Sequence, residues 1–543
     1  MRALLVSPVV ALIAVAQACS QPSLSTTLFA CSTNADCRGG DVCAPVNGAR
    51  ACLSPSQLQL LGDGGVQDGT ADADTSPIQV GMTAVFSGTN VDLGTQMRRG
   101  IKAWFNAQNA SGGIKGRQLV LVDKDDAYEP YPALLNTYAL LDIPSPPGNP
   151  ADCAADAGSA TPNWQGAIAA QRDTLGPNRV VAMLGNVGTP TMLCTAPVAV
   201  RDHVVYFAPF TGAITIIRDV NVESPYLFNF RASYYDETAA MVAYLTQWAS
   251  PRVTDYRHVV AFTQSDSYGA TGYSGLYIAW NQYLQGSSQS IGPTDIKQVQ
   301  YTRNQPQTVT QAITDATTYL QTIADGAAGA DAGAASIGVG VVMVPTYQPA
   351  ANFVKGVVDW QNDPAHTERL ALGITFMSVS FVGADALATT FQSLSPNTYT
   401  DGNGQQQFYG NGVWVTQVVP YYNAQSPGVV QYRTDLATVD VAAPSWGSLE
   451  GYLGARLFAM GLLGAAPATD SDSLVAAYEA MSSVDLGIGS PIGFSKQLPD
   501  GHQASKNVWL SRVKIDSSGS TSFDVPFVYS PGSDGTRIRP NGG

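Results

Sequence analysis

The chain has little charge, few histidines and no basic clusters. Of its 543 residues 13% are Asp, Glu, Lys or Arg, and 42 acidic against 28 basic residues leave a formal net charge of −14. Phosphate neutralisation needs clustered Lys and Arg, so nucleic acid is excluded as a partner. The four histidines, His203, His258, His366 and His502, stand far apart. There is no HExxH, GxSxG, Walker A or GxGxxG before a helix, and scattered histidines belong to surfaces and satisfied cores. The chain therefore reads as a non-enzyme, with no cofactor and no metal site. Beyond the N-terminus no uncharged apolar run is long enough to span a membrane. The length points to two or more domains.

Cysteine is sparse and odd in number, at seven. Met1-Arg2, the apolar run Ala3–Ala16 and the small-residue site Ala16-Gln17-Ala18 read as a secretory signal peptide over 1–18, which predicts export. Cys19 follows that site directly, as the lipid acceptor of a bacterial lipoprotein does, although Ala16 and Gln17 stand where a lipobox carries Leu and a small residue. The expected location is periplasmic, with a lipid on Cys19 as the only membrane attachment. Setting Cys19 aside leaves six cysteines, an even number suited to an oxidising compartment. Cys31, Cys37, Cys43 and Cys52 crowd into CSTNADCRGGDVCAPVNGARAC. Zinc is the alternative there, but no histidine is near and the C-x5-C-x5-C spacing lacks close pairs. Two disulfides of open connectivity are expected, within a small module over 19–53. Cys153 and Cys194 either bridge an insertion to the helix after Leu184-Gly185 or remain separate buried thiols. Residues 54–77, glycine-rich and acidic, bury too little apolar surface to fold and read as a linker.

The rest is organised around Ile78–Tyr128. Ile78, Val80 and Met82 lead into Ala84-Val85-Phe86, a buried strand ended by Ser87-Gly88. Met97, Ile101, Trp104 and Phe105 then recur at helical spacing over Leu93–Gln108, opposite Arg98, Arg99 and Lys102. Gly112-Gly113 stop this helix, and a strand Gln118–Val122 ends in Asp123-Lys124-Asp125-Asp126. The order βαβ implies parallel strands with a right-handed crossover and a ligand at their carboxyl ends. Val180–Leu184 is another such strand, and Gly185-Asn186-Val187-Gly188-Thr189-Pro190 follows it. There glycine lets backbone approach a ligand, and free N–H groups with the Thr189 hydroxyl suit a carboxylate. Val204–Phe207 repeats the design before Thr211-Gly212.

Ser87-Gly88, the helix from Leu93, GGIKGR at 112–117 and Asp125-Asp126 together resemble the Leu/Ile/Val-binding protein family of ABC-transporter substrate-binding proteins, and later blocks extend the likeness over roughly 78–515. The resemblance implies an α/β type I periplasmic-binding fold, with two doubly wound parallel-sheet lobes joined by a three-strand hinge. Lobe 1 would comprise 78–232 and 413–504, lobe 2 residues 233–412 and 505–530, and a polar tail 531–543. Ile492–Ser495 and Val508–Val513 would be closing strands, and Ser517–Gly543 reads as loose. The resemblance places ligand contacts at Ser87, Asn186, Gly188, Thr189, Thr211 and Gly212 in lobe 1, with Tyr234 and Asp236 beside the first crossing. In lobe 2 it places them at Asp266, Tyr268, Tyr347 and Ser380. Ser380 stands where amino-acid binders carry a glutamate for the ligand ammonium. A buried ammonium needs a carboxylate, so either Asp236 or Asp266 substitutes or the ligand is no simple α-amino acid. The resemblance thus implies capture of a small amino acid, carboxylate or amide and delivery to an ABC-transporter permease. The alternative is a sensor of the same fold that signals to a partner protein.

Overall fold

A computed structural model describes residues 42–46, 49–53, 74–145, 170–214, 225–251, 258–286, 296–326, 337–439, 443–497, 500–531 and 537–541. The signal peptide, Cys19, Cys31, Cys37, Cys153 and most of the linker lie outside them. Two compact units are present, 1–69 and 70–543. In the first, β1 (Val42–Val46) and β2 (Ala49–Leu53) form an antiparallel hairpin with Cys43 opposite Cys52. Cys43, Cys52 and Cys194 are disulfide-bonded.

The second unit begins with β3 (Ile78–Ala84), whose apolar run is buried on both faces apart from Gln79. It continues through α1 (Val91–Ala110), β4 (Leu119–Asp125), α2 (Pro130–Leu140), β5 (Ala182–Leu184), α3 (Thr189–Arg201), β6 (Val205–Phe207) and β7 (Leu227–Phe228). These strands form a parallel sheet in the order β4-β3-β5-β6-β7. The chain then crosses through 229–233 into α4 (Tyr234–Gln247), started by a capping box in which Ser233 and Asp236 satisfy each other's backbone N–H. There follow β8 (His258–Gln264), α5 (Ser267–Gly286), β9 (Ile296–Tyr301), α6 (Val309–Gly326), β10 (Ile337–Val344), α7 (Tyr347–Gln361), β11 (Leu372–Ser378) and α8 (Ala384–Ser393). A small hairpin, β12 (Thr398–Thr400) with β13 (Gln406–Phe408), precedes β14 (Trp414–Gln417). The second sheet runs β9-β8-β10-β11-β14, again parallel. Both lobes thus share one strand order, second-first-third-fourth-fifth. Each therefore has a topological switch point between its first and third strands, where open α/β sheets hold ligands.

A second crossing returns the chain to lobe 1 as α9 (Pro427–Leu436), α10 (Trp446–Ala465) and α11 (Ser471–Glu479), and α9 and α10 both pack on α1. The α1–α10 approach is close enough that a Cβ on Gly100 would lie 1.9 Å from the Ser448 carbonyl oxygen. This packing corrects one reading: Arg99, expected on an outer face, is buried. Arg98 and Lys102 do remain outside, both paired with Asp123.

A third crossing enters β15 (Val508–Ile515), which adds antiparallel to β14 and is followed by β16 (Thr521–Ser530) and β17 (Arg537–Pro540). Two expectations fail here. Ile492 makes only an isolated bridge to Val484. The segment expected to be loose from Ser517, with a tail from 531, instead extends the lobe-2 sheet by two strands. Phe523, Val525, Phe527 and Tyr529 alternate at strand period, but Pro526 argues against a central strand. It is tolerated because the β15 register shifts there, between Leu510 and Arg512.

Candidate functional site

The carboxyl ends of the two sheets face each other across a cleft. On the lobe-1 side Asp125 and Asp126 build the wall. The Asp125 carboxylate accepts the N–H groups of Phe86 (2.8 Å) and Ala127 (2.9 Å), and Asp126 accepts Tyr128 N–H and the Thr83 hydroxyl, both at 2.9 Å. Burial pushes the Asp126 carboxyl up to about 7. These bonds hold Ala127 and Tyr128 at φ of 51° and 63°, an arrangement that costs about 1–3 kcal/mol per residue and persists where surroundings enforce it. The result is a Tyr128 side chain thrown across the cleft, its hydroxyl accepting from Gln264 Nε2 (3.3 Å) and its ring 6.1 Å from Phe381. Gly188 is required beneath it, since a Cβ there would lie 2.4 Å from the Tyr128 ring.

Of the residues singled out in the sequence, Thr189 and Thr211 come together, hydroxyl to hydroxyl at 2.7 Å. Tyr234 packs over Gly212, and its ring lies 5.4 Å from that of Tyr268. Tyr268 is fully buried and donates to the Pro345 carbonyl at 3.1 Å, while Tyr347 is buried at the start of α7. Others are placed differently. Ser87 is exposed at the rim. Asn186 points into lobe 1, donating to the Tyr206 hydroxyl. Asp236 is committed to Ser233 and to Gln503 Nε2 (2.9 Å). Asp266 accepts from Tyr268 N–H (3.0 Å) and Gln264 Nε2 (2.6 Å) and lies 3.5 Å from Arg303. Its carboxyl is raised to about 6 by burial, against the pull of Arg303. Both aspartates are thus already engaged by groups of the protein itself.

Three groups were missed. The first is a buried ionic network at the hinge. Arg231 reaches Glu450 (3.0 Å), Glu237 (3.2 Å) and the Ser380 hydroxyl, and Glu237 also accepts from Ser380 N–H (2.6 Å) and the Thr416 hydroxyl (2.5 Å). Ser380 is thus held by a carboxylate rather than replacing one. Burial raises Glu450 to about 7, opposed by Arg231 and reinforced by Glu237. The second is an aromatic plug, Phe381, against Phe210 (5.3 Å), Tyr268 (4.8 Å) and Tyr128. The third is a cavity of about 20 Å³ between the lobes, lined by Asp92, Gln96, Trp446 and Glu450 from lobe 1 and by Ser380, Asp385 and Gln417 from lobe 2. Arg303 and Asn304 of lobe 2 latch one mouth of the cleft to Glu129 at 3.1 and 2.7 Å, with Asn90 donating to Asn304 at 2.9 Å. A volume of this size admits little more than a water molecule. Among the described residues no cluster of His, Cys, Asp and Glu could hold a metal, and no helix is long and apolar enough to cross a membrane.

Comparison with known proteins agrees with this architecture. A family described as periplasmic binding protein matches residues 77–142 and 156–520. A possible leucine/isoleucine/valine-binding protein from Rhodopirellula baltica SH 1 superposes with a TM-score of 0.60 at 27% identity, over 84% of this chain and 98% of that one. A leucine-binding protein from Thermotoga maritima MSB8 gives 0.57 at 14% identity, over 84% and 99%. A Leu/Ile/Val-binding protein homolog of Brucella abortus (strain 2308) is 42% identical over 62 residues, 11% of this chain and 16% of that relative's length. The family matched over most of the chain is described as one of periplasmic binding proteins. The likeness read from residues 78–515 is borne out, and the chain belongs to the periplasmic binding protein family.

Proposed function

We propose that this protein captures a small solute between its two lobes and hands it to an ABC-transporter permease. The observation that carries the reading is the pair of switch points, β3/β5 and β8/β10, facing each other across one cleft whose walls are spanned by three crossings. A ligand that contacts both lobes binds the closed form better and shifts the population toward it. The candidate contacts are Thr189, Thr211 and Gly212 on one wall and Tyr234, Tyr268 and Tyr347 on the other. A solved solute-binding relative from R. palustris is in complex with benzoate, so ligands in this fold extend beyond amino acids. Export through a signal peptide, lipidation of Cys19 and a disulfide-knotted N-terminal module belong to the same reading. They would tether the binding unit outside the membrane through the linker.

The test is a thermal-shift screen of the full chain against amino acids, amines, amides and carboxylic acids. Binding to the native state raises Tm with ligand concentration. A hit that is lost in Thr211→Ala or Tyr347→Ala supports the reading; no shift from any class contradicts it. The sensor alternative differs only in the partner, and a transported-solute assay with the cognate permease separates the two.

A further inference from the structure

The hinge network holds two acids and one cation. The Arg231 and Glu237 side chains are fully buried and that of Glu450 is 4% exposed. Among the described residues Arg231 is the only cation in an ion pair with either acid, through Nη2 to Glu237 at 3.2 Å and through Nη1 to Glu450 at 3.0 Å. With all three ionised, one negative charge would stand uncompensated out of water, a condition that buried sites relieve by binding a proton. The two acids differ in what meets their oxygens. Glu237 accepts on Oε1 from Arg231 (3.2 Å) and the Ser380 hydroxyl (3.0 Å), and on Oε2 from Ser380 N–H (2.6 Å) and the Thr416 hydroxyl (2.5 Å). A carboxylate offers about four lone-pair sites, so Glu237 has no room for a proton. Glu450 accepts on Oε1 from Arg231, and its Oε2 makes no hydrogen bond among the described residues. Burial raises its carboxyl to about 7, against the pull of Arg231 and with the help of Glu237.

We propose that Glu450 is a proton-binding site: the hinge network is complete only with a proton on Glu450 Oε2, and losing that proton loosens the joint between the lobes. The other charged groups near α10 do not replace it. On α1, Asp92 lines the same cavity as Glu450, and Arg99 donates to Gln96 Oε1 (2.5 Å) and the Ala443 carbonyl (3.5 Å). On α9, Asp435 accepts from the Tyr452 hydroxyl at 2.6 Å, and from lobe 2 Asp385 accepts from Trp446 N–H at 3.2 Å. With the proton in place, Arg231 and Glu237 balance and Glu450 is neutral. Without it, a second carboxylate competes with Glu237 for one guanidinium and repels it. The effect reaches the cleft through Ser380, whose N–H and hydroxyl both end on Glu237 and which precedes Phe381. The Phe381 ring joins the lobes by its contact with Phe210 at 5.3 Å. The folded-state carboxyl lies above the 4.5 of an ordinary glutamate. The stability that depends on the proton is therefore complete below about pH 4.5 and lost as the pH rises through about 7. This deepens the solute-binding reading by making the hinge that serves it sensitive to pH.

The test labels the side-chain carboxyls of all glutamates in the full chain with carbon-13, which separates Glu from Asp in the infrared. The C=O band of an un-ionised carboxyl is then followed from about pH 4 to about pH 9. We expect a labelled band that persists until the pH reaches about 7 and is missing in Glu450→Gln. In Glu237→Gln the band should also be missing at neutral pH, because Glu450 becomes the sole counter-ion of Arg231. Melting curves give a second readout. Glu450→Gln, neutral throughout, should melt with wild type at about pH 4 and above wild type at about pH 9. A wild-type band that is gone by about pH 5, or one that survives Glu450→Gln or folded Glu237→Gln, overturns the proposal. So does a melting difference between wild type and Glu450→Gln that stays the same across the pH range. No solute enters any of these measurements, so their failure leaves the solute-binding reading to its own thermal-shift screen, and failure of that screen leaves the proton site standing.

Discussion

The hinge network and the interlobe cavity are both acidic, yet they are built in opposite ways. At the hinge, Glu237 accepts from Arg231, from Ser380 twice and from Thr416. A buried carboxylate with that many donors is paired in full, which is the condition under which burying charge is tolerated. Asp385 and Asp92 line the cavity with Trp446. The first arrangement fixes how the crossings pass one another; the second leaves a buried donor, the Trp446 indole N–H, unpaired among the described residues.

The largest expected effect breaks the saturated side. Arg231→Met leaves Glu237 and Glu450 buried without their cation, and removal of one partner from a buried ion pair costs about 3–5 kcal/mol. Chemical denaturation of the full chain should show a loss of that order. Adding Glu237→Gln should recover part of it, because residues of one network are not additive. On the deficient side the sign reverses. The folded-state carboxyl of Asp385 is raised above its unfolded value, so the fold prefers it protonated. No penalty applies below about pH 4, and stability is lost as the pH rises through about 7. Asp385→Asn should therefore leave stability unchanged at pH 4 and raise it at pH 8, by about 1–2 kcal/mol after allowance for solvent screening. Melting curves at the two pH values check this.

Thr189→Val removes one hydroxyl from the Thr189–Thr211 pair, whose survivor still meets Ala213 N–H at 3.1 Å. A loss of about 1 kcal/mol in stability is expected, with a larger effect on any ligand whose acid or amide end sits there. The smallest effect belongs to the latch. Glu129 is 43% exposed at its side chain, so Glu129→Gln should change stability by less than about 1 kcal/mol. It should, however, make ligand association less sensitive to salt, since the interlobe ion pair it removes is screened.

Much of the fold was legible because the periodicities were strong and the connections short. The run from Ile78 to Phe86 reads as a buried strand, and GGIKGR with Asp125-Asp126 placed the first βαβ unit in its family. What escaped depended on contacts distant in sequence. Arg99 is buried because α9 and α10, more than 300 residues later, cover α1. The Arg231–Glu237–Glu450 network joins the first crossing to α4 and to α10, and nothing local in any of these segments announces it. Tyr128 carried a signal that went unused: it directly follows the Asp125-Asp126 pair whose carboxylates force its backbone. Asp385 and Trp446 meet only because the two lobes face each other, which no local pattern encodes. The β16 strand was hidden by Pro526, which is placed at a bulge.

The central claim is that a ligand closes the two lobes. Small-angle X-ray scattering of the full chain, with and without a ligand identified by thermal shift, tests it most directly. We expect the radius of gyration to fall on ligand addition. A scattering profile that stays the same at saturating ligand would contradict the account, because binding would then proceed without lobe motion about the three crossings.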